Sequence, residues 1–129
     1  MSIASLDKVF SEYIRLRDAD ENGYCKCISS GKIDHWENMD CGHFINRKHM
    51  SLRWSEINCN AQCRSDNRFD EGNLEGYRRG LIVKHGPDII DKLFLAKNTI
   101  VKWSSFEMTV LEKDLKKKVV ELKKLKGQK

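Results

Sequence analysis

His43 ends the short segment Met39-Asp40-Cys41-Gly42-His43, ahead of the apolar pair Phe44-Ile45, and about twenty residues on comes Gln62-Cys63-Arg64-Ser65-Asp66-Asn67. An imidazole titrates near neutral pH, so His43 can take a proton from water. Asp40 has the chemistry to support a cation and Arg53 the chemistry to contact a phosphate. Together these residue types suit phosphodiester hydrolysis. That reaction needs a nucleophilic water, relief of charge on the phosphate oxygens, and a proton or metal for the leaving oxygen. A divalent cation, Mg²⁺ or Mn²⁺, supplies the second and third. A histidine beside Phe and Ile is often simply packed, and Asn67 could merely cap a helix. The ordered combination is what points to a site.

The elements that must position these residues are read from period and punctuation. Leu6, Val9, Phe10, Tyr13 and Ile14 share one helical face, with Ser5 available as a cap and Asn22-Gly23 as the following turn. From residue 24 to 60 the helical period vanishes, which predicts one strand around residues 36–45, another around 56–59, and a connection over 46–55. A short helix is expected over about 63–71, ended by Gly72. Asn73 then caps a helix burying Leu74, Tyr77, Leu81 and Ile82, and Pro87 opens one burying Ile89, Ile90, Leu93 and Phe94. Ser104 and Glu107 form a capping box, flanked by Trp103 and Met108 as a hydrophobic staple. The seam Met108, Leu111, Leu115, Leu122 and Leu125 could pack on the body, pair with a second copy, or fray. The fold class is α+β, divided into a body over 1–102 and a basic C-terminal helix over 103–129.

The 129 residues suffice for one domain with a modest core. Net charge is +5, yet between Lys113 and Lys129 eight lysines face only Asp114 and Glu121, a surplus of +6. A basic segment on a near-neutral body suits a polyanion such as nucleic acid. Five cysteines, at 25, 27, 41, 59 and 63, form an odd, closely spaced set, which argues for reduced thiols and a cytoplasmic protein. No apolar run approaches the ~20 residues that cross a bilayer, so no membrane partner is expected.

A histidine closing one strand, a loop, a second strand and an asparagine in the following helix resemble the ββα-metal, or HNH, nuclease site. That resemblance implies roles for the residues. His43 is the base, with a metal-ligand role as the alternative. Asn67 is a ligand of the catalytic cation, with Asp40, His49 or Asn73 in support, and Asn58 pins the loop backbone. Further motifs narrow the likeness: Tyr13-Ile14-Arg15-Leu16-Arg17-Asp18, Cys27-Ile28-Ser29-Ser30-Gly31-Lys32, Gly42-His43-Phe44-Ile45, Leu52-Arg53-Trp54, Gly72-Asn73 and Tyr77-Arg78. Over roughly residues 6–95 they resemble the NinG family of bacteriophage recombination proteins, also called Rap. The family implies a small ββα-metal (His-Me finger) core with flanking helices. It also implies structure-specific endonuclease activity on branched DNA such as D-loops and Holliday junctions.

The sequence departs from the fuller family pattern in two ways. Many relatives look like Cys-x-x-Cys followed by Cys-x-x-Cys-Asn, a structural zinc signature. Here the pairs read Cys27-x-x-Ser30 and Cys63-x-x-Asp66, which implies loss of the zinc, with Ser30 and Asp66 hydrogen-bonding in its place. The competing expectation is a rearranged zinc site of Cys25, Cys27, Cys59 and Cys63. Second, Gly42 stands where many HNH sites carry an Asp or His before the base. The expected DNA contacts are Arg47, Lys48, Arg53 and Arg78, with Lys116, Lys117, Lys118, Lys123 and Lys124 of the last helix. Symmetric cutting would favour a homodimer. A non-catalytic DNA-binding module on the same fold is the alternative.

Overall fold

A computed structural model describes residues 2–129, apart from the side chain of Asp70. Helix α1 (Ile3–Asp18) begins with a reciprocal capping box in which Ser2 is the cap and Ser5 the third helical residue. The cap thus lies three residues before the one expected at Ser5, and the helix buries Leu6, Val9, Phe10, Tyr13, Ile14 and Leu16. A hairpin of β1 (Tyr24–Lys26) and β2 (Ile33–His35) follows. Then come β3 (Met39–His43), a long loop, β4 (Cys59–Cys63) and the short α2 (Arg64–Arg68). Helices α3 (Leu74–His85), α4 (Ile89–Lys97) and α5 (Ser105–Leu125) complete the chain. Among the described residues the architecture is mixed α+β, with five helices and two small antiparallel sheets.

Two sequence expectations need correcting here. The β1–β2 hairpin is absent from the sequence reading, and the second strand of the site lies at Cys59–Cys63, beyond the expected 56–59. The reason is physical. Strand β4 is buried on both faces, and one face carries amides. Cys59, Ala61 and Cys63 join the main core, while Asn60 and Gln62, with Asn58 just before the strand, point the other way and are at most 1 % exposed. Amides rarely make strands, so the segment reads as loop until its partners are known. Those partners come from afar. Gln62 Nε2 donates to Ser29 Oγ at 2.8 Å and to the Gly72 carbonyl at 2.7 Å. Asn60 donates to the Ile57 carbonyl and Tyr77 Oη, and accepts from Lys84 at 2.6 Å.

Among the described residues strand β4 pairs only with β3, so its outer edge must be satisfied in another way. The Arg17-Asp18 pair at the end of α1 does much of this: Arg17 donates to the Cys59 carbonyl at 3.0 Å, and Asp18 accepts the Ala61 N–H at 2.8 Å. The Ile28 N–H donates to the Ala61 carbonyl, and the Cys27 sulfur accepts the Cys63 N–H. The first family-like motif is therefore a clamp that fixes β4 to α1.

Helix α5 lies on α1 and adds Leu115 and Val119 to the main core. Each buried aliphatic side chain contributes about 1.5–3 kcal/mol. Its capping box forms as read, with both bonds between Ser104 and Glu107 at 3.0 Å. Of the expected seam, Leu115 is buried and Leu125 is 76 % exposed; Val119 takes the inner position. Beyond the helix, Lys126 Nζ reaches the carbonyls of Leu16 and Ala19, both at 2.6 Å, and so caps the C-terminus of α1. A second, smaller core joins Ile45, Leu52, Tyr77, Leu81, Ile89, Ile90 and Leu93 beneath α3 and α4. Among the described residues no helix is long and apolar enough to cross a membrane.

Candidate active site

His43 is the last residue of β3 and stands opposite Cys59 of β4. Its Nε2 lies 2.8 Å from the backbone carbonyl of Arg53. A carbonyl can only accept, so Nε2 carries the hydrogen and the lone pair of the neutral ring is on Nδ1. Burial holds the imidazole pKa below its ordinary value, against the Arg53 carbonyl and the Asp7 charge, which favour the protonated form. At neutral pH the ring is therefore an acceptor.

The loop between β3 and β4 is held by Asn58 and by the Asp7–Arg53 pair. Asn58 is fully buried; its Oδ1 accepts from the Ile45 N–H at 2.8 Å, and its Nδ2 donates to the Ile45 carbonyl at 2.9 Å and the Leu52 carbonyl at 3.3 Å. Asn58 thus ties Ile45 to Leu52 across the loop. Next along, Arg53 offers its carbonyl to His43 and its guanidinium to Asp7 of α1, with Nε 3.0 Å from Oδ1. Trp54 Nε1 donates to the same carboxylate at 2.9 Å. Burial raises the pKa of Asp7, but hydrogen bonds from Arg53 and Trp54 outweigh it and hold the carboxyl below its usual value. Arg53, expected from the sequence at a phosphate, is here paired with Asp7.

Asp40 and Asn67 meet. Asn67 Nδ2 donates to Asp40 Oδ2 at 2.9 Å, leaving Asn67 Oδ1 as a further acceptor. Arg68 forks onto the same carboxylate at 2.9 and 3.0 Å, and Arg64 lies at 3.8 Å. His43, Asp40 and Asn67 line one open cleft of about 920 Å³, with Arg47 and Arg68 on its wall. Carboxylate and amide oxygens are the donors that hard cations such as Mg²⁺ or Mn²⁺ take, with waters completing the shell. The residues therefore fit such an ion, provided Arg68 swings off Asp40. Gly42 has its own explanation: a Cβ there would run into the Gln62 amide, and Tyr77 Oη donates to its carbonyl at 2.8 Å. No ligand side chain fits at that position.

Other expected site residues lie apart. His49 lines a second cleft with Lys48, Arg78, Phe94 and Lys97, so it is not brought to Asp40 and Asn67. Asn73 caps α3 through Gly76 N and donates to Asp66 at 3.2 Å. The four cysteines of the rearranged zinc site do not converge. Cys25 donates to the Arg15 carbonyl at 3.1 Å, and burial pushes its thiol pKa up to about 12. Cys59 faces Cys41 and His43, while Cys27 and Cys63 gather with Asp66. In that last group Cys63 Sγ donates to Asp66 at 2.8 Å and Cys27 Sγ at 3.4 Å, with Ser30 Oγ 3.7 Å from Cys63. Asp66 is thus hydrogen-bonded to both thiols, and Ser30 to that of Cys63.

Among the basic residues, Arg47 and Lys48 are exposed just after His43, as are Arg78 on α3 and Lys116, Lys117 and Lys124 on α5. Lys118 and Lys123 are drawn to the body instead, Lys118 over the Tyr13 ring at 5.5 Å and Lys123 beside Glu12 at 3.7 Å. Sequence reading missed Asp7, Arg64 and Arg68. Arg68 stands one residue after Asn67, a signal that was available; Asp7 lies 46 residues from Arg53 and leaves no local trace.

The model of the family described as "Bacteriophage Lambda NinG protein" matches residues 2–126. Among curated proteins, "Protein ninG" of Escherichia phage lambda is 28 % identical over 122 residues, covering 94 % of this chain and 57 % of the relative. "Protein ninG" of Enterobacteria phage H19B is 29 % identical over 122 residues, with 94 % and 58 % covered. The chain thus spans less than three-fifths of the length of these relatives. No solved structure matches. With a family model covering nearly its whole length, the chain belongs to the NinG family.

Proposed function

We propose that this chain is a metal-dependent, structure-specific DNA endonuclease for branched recombination intermediates such as D-loops and Holliday junctions. Its core would be a ββα-metal (His-Me finger) unit made by β3, β4 and α2. The observation that carries the reading is the convergence on one cleft of a neutral, oriented His43 with the oxygen donors of Asp40 and Asn67. His43 takes a proton from a cleft water onto Nδ1 while the Arg53 carbonyl holds the ring from behind. Asp40 and Asn67 Oδ1 would hold Mg²⁺ or Mn²⁺, which would supply charge relief to the phosphate and leaving oxygen. Arg68 and Arg47 on the wall, with Arg64 beside Asp40, give the cleft a cationic rim for the DNA backbone. Lys116, Lys117 and Lys124 add phosphate contacts, so affinity falls steeply with salt.

A second reading, a DNA-binding module without catalysis, is favoured by one observation: Asp40 is already saturated by Arg68, Arg64 and Asn67. Nicking of four-way junctions, D-loops and linear duplex, with Mg²⁺, Mn²⁺ or chelator, separates the two. The nuclease reading expects cation-dependent cuts that His43→Ala abolishes while DNA binding survives. Tight binding with no cation-dependent cut by the unaltered chain supports the module, and undiminished cutting by His43→Ala removes His43 as the base.

A further inference from the structure

Two thiols crowd the histidine and have no part in the reaction proposed above. Cys41 stands two residues before His43 on β3, so strand alternation puts both side chains on one face. Cys59 is the cross-strand partner of His43. As a result Cys41 Sγ, Cys59 Sγ and a ring nitrogen of His43 all lie within 4.8 Å of one another. A tetrahedral zinc ion, with Zn–S of about 2.3 Å and Zn–N of about 2.0 Å, spaces such ligand atoms roughly 3.5–3.8 Å apart. Closing the remaining gap takes side-chain rotations of about 1 Å, with no change of strand register. Cys41 is only half-buried and lines the cleft, so an ion has a way in and a water can complete its shell.

The cluster differs from the Cys27, Cys63 and Asp66 group, where a carboxylate already takes the thiol hydrogens. The hydrogen-bond partners of Cys59 Sγ are backbone carbonyls, at 3.7 Å from Arg53 and 4.0 Å from Leu52. Sulfur and imidazole ligands select soft or borderline cations and reject Mg²⁺. We propose that Cys41, His43 and Cys59 form a binding site for a thiophilic divalent cation, Zn²⁺ or Cd²⁺, and that its occupation switches off the cleft. Binding releases the two thiol protons to solvent and leaves a neutral pairing of one dication with two thiolates. The switch follows from the ring itself. A neutral imidazole has one lone pair, and coordination through either nitrogen uses it. His43 then cannot accept a proton from water, whichever nitrogen binds. The inhibitory half rests on the reading of His43 as base; the binding half does not.

The test titrates the full-length, metal-free protein with Co²⁺ and reads thiolate-to-cobalt charge-transfer absorption, then displaces Co²⁺ with Zn²⁺. Cys41→Ser and His43→Ala should each weaken binding at this site at least about tenfold, since both remove a direct ligand. Asp66→Asn, at the other cysteine group, should leave it intact. Circular dichroism confirms that the variants are folded. Charge-transfer absorption unchanged in Cys41→Ser and His43→Ala overturns the site. On branched DNA with Mg²⁺, one equivalent of Zn²⁺ should stop cutting by the unaltered protein. Cys41→Ser, referred to its own Mg²⁺ rate, should need at least about tenfold more zinc; equal sensitivity overturns the switch. A protein that never cuts DNA yet shows the cobalt signature defeats the nuclease reading and leaves the metal site standing.

Discussion

Replacing Asn58 by aspartate changes one buried atom and almost no volume, which makes it a sharp probe of the latch behind His43. The wild-type amide closes a ring of hydrogen bonds to Ile45 N, Ile45 O and Leu52 O at 2.8, 2.9 and 3.3 Å, with no exposure to solvent. In Asn58→Asp, the protonated carboxyl can still accept from the Ile45 N–H and donate to one carbonyl, so only one bond is lost, about 1 kcal/mol. The ionised carboxylate would face two carbonyls without a hydrogen between them, in a site that water does not reach. The folded state therefore holds the proton, and the folded pKa of the introduced carboxyl rises above the unfolded value of about 3.9. Between those two values the unfolded chain binds fewer protons than the folded one, so stability falls as pH rises, by about 1.4 kcal/mol per unit. A shift of about three units costs roughly 4 kcal/mol by pH 7, a large part of the 5–15 kcal/mol typical of a domain. Urea unfolding of wild type and Asn58→Asp from pH 4.5 to 7.5, followed by tryptophan fluorescence, measures this directly. Asn58→Ala serves as the control, with a loss of about 3 kcal/mol that does not vary with pH. A flat difference between wild type and Asn58→Asp across that range would refute the burial and the bonding assigned to Asn58.

Further perturbations test other parts of the same framework. Gly42→Ala forces a methyl group into the Gln62 amide and should destabilise by about 1–3 kcal/mol, read from thermal unfolding; an unchanged midpoint would mean that the β3–β4 face is looser than described. Arg68→Ala removes both guanidinium bonds from the Asp40 carboxylate and should tighten Mn²⁺ binding several-fold by calorimetry or electron paramagnetic resonance, whereas weaker binding would show that Asp40 is not a ligand. Burial raises the pKa of Asp18, but the hydrogen bond and charge of Arg17, helped by Lys84 and the Ala61 N–H, hold it below the ordinary value. Its contribution is therefore present above about pH 4 and lost as pH falls through the folded pKa. Asp18→Asn should be less stable at pH 7 and show a shallower acid limb in unfolding; equal acid limbs would place the acid sensitivity elsewhere.

The helices are legible because their signals are local. The apolar period of α1, the Asn73 cap of α3 and the Ser104–Glu107 box of α5 each lie within one turn or one face, and each appears as read, with α1 alone starting earlier. The β1–β2 hairpin has strands of three residues, too short for a period to show. Strand β4 is misplaced by sequence reading because its amide face looks like loop until Ser29, Gly72, Tyr77 and Lys84 are set against it. The site divides in the same way. His43, Asn58, Asp40 and Asn67 are legible as residue types in order along the chain, since each is a donor or acceptor that such chemistry needs. What joins them is not, because it runs between residues far apart. Arg53 is the clearest case: its side chain binds Asp7 on α1 while its carbonyl orients His43. Sequence reading assigns that guanidinium to the phosphate, where it would position nothing in the protein itself. Tied to α1, it makes the direction of the His43 lone pair depend on the packing of the first helix. A fault in that helix, distant in sequence from the imidazole, then reaches His43 through one backbone oxygen.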